Sequence, residues 1–365
     1  MRLHRYRCDG RILCAVAVFV VMIAAGIYVQ PGFSAPTPHV AGDEKIVAFL
    51  TPLLKGARGH VAAALITPDG VQYGLWGEDD RRQFEVASLT KTMTASLLME
   101  AIRRGEVAAQ TRVGDVVPEI IGPARNITLE ALASHRSGLP SQPFSLRQKG
   151  AILGAILMRK NPWKYDQTAL AGIINHARLA PAGTFAYSNA GYALLGLALE
   201  RAAHQPFATL MKQRLFAPAK MQDSVIAQES TPPTPLFAPG WSASGFTEAP
   251  WILHAFAPDG GARSTIVDMA KYAQALMAQT LAGSRGMAPR FGTDDADTRI
   301  GYAWFTTSVR GRNITWHDGQ HAGYASVMVL DLQRKTAVVI LSDTAWPVIG
   351  PAIRLLLAQP AKVKA

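Results

Sequence analysis

Ser88-Leu89-Thr90-Lys91 sets a hydroxyl and an amine three residues apart. On a helix this spacing puts both side chains on one face, one turn from each other. A serine is a weak nucleophile until a neighbour takes its proton, and a lysine at that distance is such a neighbour. If Ser88 opens the helix, the free N–H groups of the first turn also favour negative charge developing there. Alone, the pattern equally describes a capping serine and a solvated lysine.

Two further groups carry chemistry. Tyr187-Ser188-Asn189 follows Pro181-Ala182-Gly183-Thr184 and precedes an apolar stretch, so it belongs to a loop at a helix entrance. A phenol beside cations becomes a usable base, and the Asn189 amide suits a substrate amide. The plainer alternative is a tyrosine packed over a turn, with Asn189 as the cap. His317-Asp318-Gly319 ends an apolar run. A histidine there lines a cleft and supplies a hydrogen bond or a partial positive charge. The glycine lets a substrate backbone approach a strand edge. By itself this is a turn histidine; His321 is its nearest rival, and the remaining histidines call for no role. The sequence contains no Gly-x-Ser-x-Gly elbow, His-Glu-x-x-His zinc motif, phosphate-binding Gly-x-x-x-x-Gly-Lys loop or Gly-x-Gly-x-x-Gly fingerprint.

The elements that must position these groups are read from patterning. Residues 43–54 read as an amphipathic helix. Residues 60–67 and 71–76 read as two strands around the Pro68-Asp69-Gly70 turn. Residues 84–87 lead into a helix over 88–104 that Gly105 stops. Thr128 caps a helix that ends before Ser137-Gly138-Leu139-Pro140, and residues 190–203 form a small, apolar, buried helix. Residues 229–262, rich in Pro, Gly and Ser, read as a long irregular segment. Thr265 and Asp268 have the spacing of a capping box for a helix to about 282. Strand patterns return at 301–307, 314–317, 324–331 and 336–342, before a final helix over 348–358. With strands at both ends of the chain and helices between, the expected fold is α+β: an antiparallel sheet from the N- and C-terminal segments, flanking helices and an inserted helical lobe. The domain would cover residues 43–358, with 43–104 and 286–358 as its α/β part and 105–285 as the mainly helical part. A cleft between the two is the natural place for a site.

Composition bounds the rest. At 49% hydrophobic and 17% charged, the 365-residue chain is a folded protein and not a disordered one. Its only cysteines, Cys8 and Cys14, lie near the N-terminus, so the body has no thiol nucleophile, thiolate zinc site or disulfide framework. Arg2, Arg5, Arg7 and Arg11 precede an uncharged apolar run over 12–29. A basic flank before an apolar run directs the remainder of the chain across a membrane. Residues 1–30 therefore read as a signal anchor, or alternatively as a cleaved signal peptide, and 31–42, with three prolines and two glycines, as a linker. Either way the body is exported, to the periplasm or another extracytoplasmic space. The net charge of +11 is spread without a dense basic run, which suits an anionic wall or membrane and argues against nucleic-acid binding.

The three motifs, in this order, resemble those of the penicillin-recognising serine hydrolases: class C β-lactamases, serine D-Ala-D-Ala carboxypeptidases and related esterases. The flanks 133–140, 181–196, 257–268 and 301–342 resemble the same family, so the similarity spans roughly residues 45–345. The resemblance implies a β-lactamase-like fold and a set of roles. Ser88 would be acylated, Lys91 would help deprotonate it, and Tyr187 would be the general base that returns a proton to the leaving group. Asn189 and, more loosely, Gln142 would bind substrate. The N–H groups of Ser88 and Gln320 would hold the oxyanion. His317, next to Gly319, stands where class C enzymes carry the lysine of Lys-Thr-Gly. The expected function is hydrolysis of an amide, β-lactam or ester through an acyl-Ser88 intermediate, with no metal or organic cofactor implied. The alternative is a non-catalytic or slowly acylated sensor of wall fragments or β-lactams.

Overall fold

The computed structural model describes residues 35–77, 79–232, 234–237 and 239–360, together with Met22 and Gly26. Those two apart, the run expected to be a signal anchor or signal peptide lies outside the described residues, as do both cysteines. Among the described residues no helix is long and apolar enough to cross a membrane.

The first segment supplies β1 (Val40–Gly42), α1 (Glu44–Leu50), β2 (Val61–Thr67) and β3 (Gly70–Trp76). The last supplies β7 (Phe291–Gly292), β8 (Thr298–Ile300), β9 (Phe305–Val309), β10 (Arg312–Gln320), β11 (Ala325–Asp331) and β12 (Thr336–Ser342). These nine strands make one antiparallel sheet in the order β1-β3-β2-β12-β11-β10-β9-β8-β7, in which β2 pairs directly with β12 and so joins the two chain ends.

The apolar runs of β2 and β12 are continuous because both faces of the sheet are covered. Alternate residues divide between two cores, as the two-residue period of a strand requires. Ala62, Ala64, Ile66, Val339 and Leu341 face the larger core. Val61, Ala63, Leu65, Val338 and Ile340 face a smaller one, closed by Ile46 and Leu50 of α1 and by Ala352, Leu355 and Leu356 of the final helix (Ile349–Ala358).

The helices of the larger core include α2 (Leu89–Arg103) and α4 (Asn189–Ala203), both buried for most of their length. A helix buried on nearly every side is one that the rest of the fold surrounds. Gly196 of α4 meets Pro258 so closely that an added Cβ would lie 2.0 Å from its ring. That close approach seats the turn Ala257–Gly260 between α4 and α2. A small second sheet, β4 (Phe84–Glu85), β5 (Val225–Ile226) and β6 (Ala262–Ser264), runs in the order β4-β6-β5 and leads the chain into α2.

Several expectations are revised. The last three residues of the expected linker form β1, whose edge pairs with β3. The strand expected over 301–307 is a turn followed by the first residues of β9: the Gly301 N–H donates to the Trp304 carbonyl, and β8, which ends at Ile300, pairs with β9 across that turn. The irregular 229–262 segment ends in a buried helical turn and the first residue of β6. The helix α5 (Ile266–Met277), expected in the helical lobe, packs against β2 and β12. Its capping box is half made: Thr265 accepts from the Asp268 N–H, but the Asp268 carboxylate turns to the Asp223 N–H, the Ser224 hydroxyl and Lys271.

Candidate active site

Ser88 stands at the corner between β4 and α2. Ala87 just before it has φ +47°, a left-handed conformation that a residue with a Cβ adopts only when its surroundings impose it. Here Val86 is pinned on both sides: its N–H donates to the Ala262 carbonyl at 3.0 Å, and its carbonyl accepts from the Ser326 hydroxyl at 2.7 Å. The corner delivers Ser88 at the N-cap of α2, yet its hydroxyl caps nothing. That hydroxyl instead accepts from the Lys91 Nζ at 3.0 Å.

Lys91 is completely buried. Its ammonium donates a second hydrogen bond to the Asp259 carbonyl at 2.8 Å and sits 5.1 Å and 5.9 Å from the ring centroids of Tyr187 and Tyr192. No carboxylate lies within ion-pair distance of it among the described residues. A buried cation held by a carbonyl, a hydroxyl and two aromatic faces is costly to assemble and is therefore retained for chemistry more readily than for stability. The Asp259 carboxyl, buried beside it, is pushed up to about 6 by desolvation, against the opposing pull of Lys91 and His321.

Tyr187 comes from the loop before α4. Ser188, and not Asn189, caps that helix by accepting from the Gly191 N–H at 2.9 Å, and its hydroxyl donates to the Pro140 carbonyl at 3.0 Å. Asn189 comes next as the first helical residue, half-buried. The Ala190 N–H donates to the Ser141 carbonyl, so the 138–144 loop is stitched to the start of α4 and carries Gln142, exposed, at the rim.

On the opposite wall β10 passes Ser88 closely. A Cβ on Gly319 would lie 2.7 Å from the Ser88 nitrogen and 2.6 Å from the Val86 oxygen. The register decides which way the strand's backbone points. The His321 N–H donates to the Tyr324 carbonyl, so the alternate residues Gly319 and His317 also turn their backbone groups to β11. Asp318 and Gln320 turn theirs to the other edge, where β9 pairs only as far as Trp316. The Gln320 N–H thus lies on an open strand edge, one residue past the Gly319 that approaches the Ser88 nitrogen. The Gln320 side chain leans away, toward the Ala345 carbonyl at 3.4 Å.

His317 is buried, and its partial charge is the expectation the structure overturns. Desolvation first, then the field of Lys91, pushes its imidazole down to about 3, against a backbone contact to Asp318. Its Nδ1 lies 2.6 Å from the Asp318 carbonyl, an atom that only accepts, so Nδ1 carries the proton and Nε2 is left as an acceptor with no partner among the described residues.

His135 received no role from its residue type, although it lies within the 133–140 stretch; that flank was its only signal. It stacks on the Tyr187 ring at 4.2 Å and accepts the Ser188 N–H on Nδ1 at 3.0 Å. Its proton is therefore on Nε2, which is buried without a partner among the described residues. Burial, then Lys91 and His317, holds His135 well below the usual histidine range. Asp259 and Tyr192 are likewise parts of the site that no local pattern marked. His321 is not a second His317: its Nδ1 bonds Glu85 at 2.8 Å and its ring lies 4.7 Å from that of Trp251.

Gly319→Ala is expected to force β10 off the Ser88 corner and to destabilise the fold by about 1–3 kcal/mol, read as a lowered denaturation midpoint; an unchanged midpoint would contradict the close approach. The two neutral histidines give the fold a pH dependence. Unfolded, each takes up a proton below its ordinary value of 6.5, while the folded state refuses it. Their stabilisation is complete above pH 6.5 and is lost as pH falls, at about 1.4 kcal/mol per pH unit for each. Asp259 works the other way between about 6 and 3.8, where the folded carboxyl is protonated first, so it offsets one histidine. His317→Gln is expected to flatten stability between pH 6.5 and 4 by about 1.4 kcal/mol per unit, seen in denaturant midpoints across pH. Equal slopes in both proteins would place His317 in water.

The β-lactamase family model matches residues 46–357. The D-alanyl-D-alanine-carboxypeptidase/endopeptidase AmpH of Escherichia coli K12 is 31% identical over 182 residues, 46% of this chain and 45% of AmpH, so less than half of that relative's length is matched. A penicillin-binding protein of Bacillus subtilis strain 168 is 23% identical over 306 residues, 77% of this chain and 66% of its own length. A class C β-lactamase structure superposes with a TM-score of 0.71 at 17% identity, covering 83% of this chain and 92% of that one, which establishes the shared fold. With the family model spanning nearly the whole described body, the chain belongs to the β-lactamase family.

Proposed function

We propose that the protein is an exported serine acyl-hydrolase that works through an acyl-Ser88 intermediate. The observation that carries this is the 3.0 Å contact between the buried Lys91 ammonium and the Ser88 hydroxyl. Ser88 Oγ attacks the substrate carbonyl carbon as its proton passes to the Tyr187 oxygen, while the Lys91 ammonium, donating to Ser88 Oγ, stabilises the negative charge that develops there. The carbonyl oxygen becomes an oxyanion between the N–H groups of Ser88 and Gln320. Tyr187 then protonates the departing amine or alcohol as the C–N or C–O bond breaks, and water later attacks the acyl-enzyme by the same route in reverse. Asn189 and Gln142, whose side chains have no hydrogen-bond partner among the described residues, are available to the acyl group. His135 holds the Tyr187 ring in place by stacking.

The neutral His317 narrows the substrate. Its Nε2 offers a hydrogen-bond acceptor and not a cation, so it suits a substrate with an N–H or O–H at that point better than one with a carboxylate. An ester or an internal peptide bond of a wall peptide fits this description; a penicillin fits it less well. The alternative, a slowly acylated sensor, shares the same acylation step and differs only in the rate of release.

The test is an intact-mass time course of the purified protein with a penicillin, run beside hydrolysis of an activated ester. Ester turnover with a lasting penicillin adduct on Ser88 supports the hydrolase proposed here. Rapid penicillin hydrolysis with a fleeting adduct makes it a β-lactamase. A lasting adduct with no turnover of any substrate makes it a sensor. Neither adduct nor turnover in folded protein ends the acyl-enzyme proposal.

A further inference from the structure

The helix α3 (Leu146–Leu157) comes after the Gln142 loop and buries none of its residues completely. Its sequence nevertheless has the pattern of a core helix. Leu146, Leu153 and Leu157 fall on one stripe at intervals of seven and four residues, and all three face solvent, Leu146 at 88% exposure. Ile156, on the flank of the stripe, and Met158, just past the helix, are exposed as well, so five of the eleven large apolar side chains exposed among the described residues lie within 146–158. A fold that buries its other apolar helices this fully leaves such a stripe uncovered where something else covers it.

The helix is firmly attached on its other side. Ile152 packs against the larger core. The chain enters through Phe144 and leaves through Trp163 and Tyr165, whose rings lie 6.1 Å and 5.1 Å from that of Phe144 and close on Phe256. The stripe is thus presented on a braced hairpin of fixed orientation.

Charge identifies the partner. Residues 142–165 contain Arg147, Lys149, Arg159, Lys160 and Lys164 and no acidic residue. Arg159 is engaged by Glu248 at 3.8 Å and by the Phe246 ring at 3.5 Å; the other four cations are exposed, and of them Arg147 and Lys149 lie on the helix, one on either side of the leucine stripe. A helix with a leucine stripe between cations matches a bilayer interface: the stripe enters the acyl boundary and the cations meet anionic headgroups. The length of chain outside the described residues agrees: between the end of the apolar run at residue 29 and the first residue of the described body, Ala35, lie five residues, a reach of at most about 18 Å.

We propose that α3 is a membrane-docking helix that seats the body on an anionic lipid surface, with the rim residue Gln142 beside the lipid. This stands on residues of the described fold and does not depend on the acyl-transfer chemistry.

The test uses the full chain with Cys8 and Cys14 replaced by serine and an environment-sensitive fluorophore on Leu153→Cys, reconstituted in nanodiscs of phosphatidylglycerol or of phosphatidylcholine. A second label on Gln333→Cys, in the exposed turn between β11 and β12, is the control. The proposal expects the label at 153 to shift to the blue and to be quenched by spin-labelled lipid in phosphatidylglycerol, while the control stays in water. Arg147→Gln with Lys149→Gln is expected to lower the docked-to-undocked ratio about 30-fold, at about fivefold for each charge. A water-exposed label in phosphatidylglycerol overturns it, as does quenching of both labels alike. A label buried in lipid-free detergent, with copies crosslinking through position 153, overturns it in favour of a second copy as the occupant.

Discussion

Ser88→Ala is expected to lower turnover of any accepted ester or amide by about 10⁴-fold or more and to abolish the mass adduct, while the protein stays folded. The structure separates the two effects. The Ser88 hydroxyl caps no backbone group of α2, so its removal leaves the helix end as it was. Its one hydrogen bond among the described residues is from Lys91, which keeps the Asp259 carbonyl and the two tyrosine rings. The loss of that single hydrogen bond costs about 1 kcal/mol, a shift of a few degrees in melting temperature for a domain of this size. Turnover and mass spectrometry beside a melting curve check both halves. An adduct that persists in the variant would locate the nucleophile elsewhere.

Lys91→Met is expected to slow acylation by about 10³-fold with a smaller effect on stability than the loss of a buried hydrogen-bonded group ordinarily brings. Methionine fills similar space without a charge. The Asp259 carbonyl loses its donor, at about 1–3 kcal/mol, but the fold no longer buries an ammonium that has no paired carboxylate, and the two terms oppose each other. A second readout separates an electrostatic role from a packing one. Lys91 is among the causes that depress both His135 and His317, so both imidazoles should titrate higher in the variant, by NMR, than in the parent. Unmoved histidines with unchanged acylation would leave Lys91 a structural residue.

Much of the architecture was legible in the sequence because its signals are local. The strands at 61–67 and 336–342 declare themselves by β-rich apolar runs, α2 by its Gly105 stop, and the helix at 129 by Thr128, whose hydroxyl accepts the Ala131 N–H. The misread stretch at 301–307 shows the limit. Its aromatic and β-branched residues have strand propensity throughout, but Gly301 to Trp304 close a turn that only the pairing of β8 with β9 reveals. The leucine stripe of α3 has the period of a core helix, and nothing in that period tells which face the rest of the fold will leave uncovered.

The sequence by itself determined the chemistry on offer. Ser88 and Lys91 one helical turn apart, a tyrosine at a helix entrance and a histidine before a glycine near a strand end are set by spacing, and helical and strand periods fix which side chains share a face. The tertiary structure decided what each group is. Lys91 became a buried cation because the turn at Asp259 folds against α2 from 168 residues away. His317 became a neutral acceptor, and His135 a brace for Tyr187, because burial sets the cost of charge and burial is made by chain segments distant in sequence.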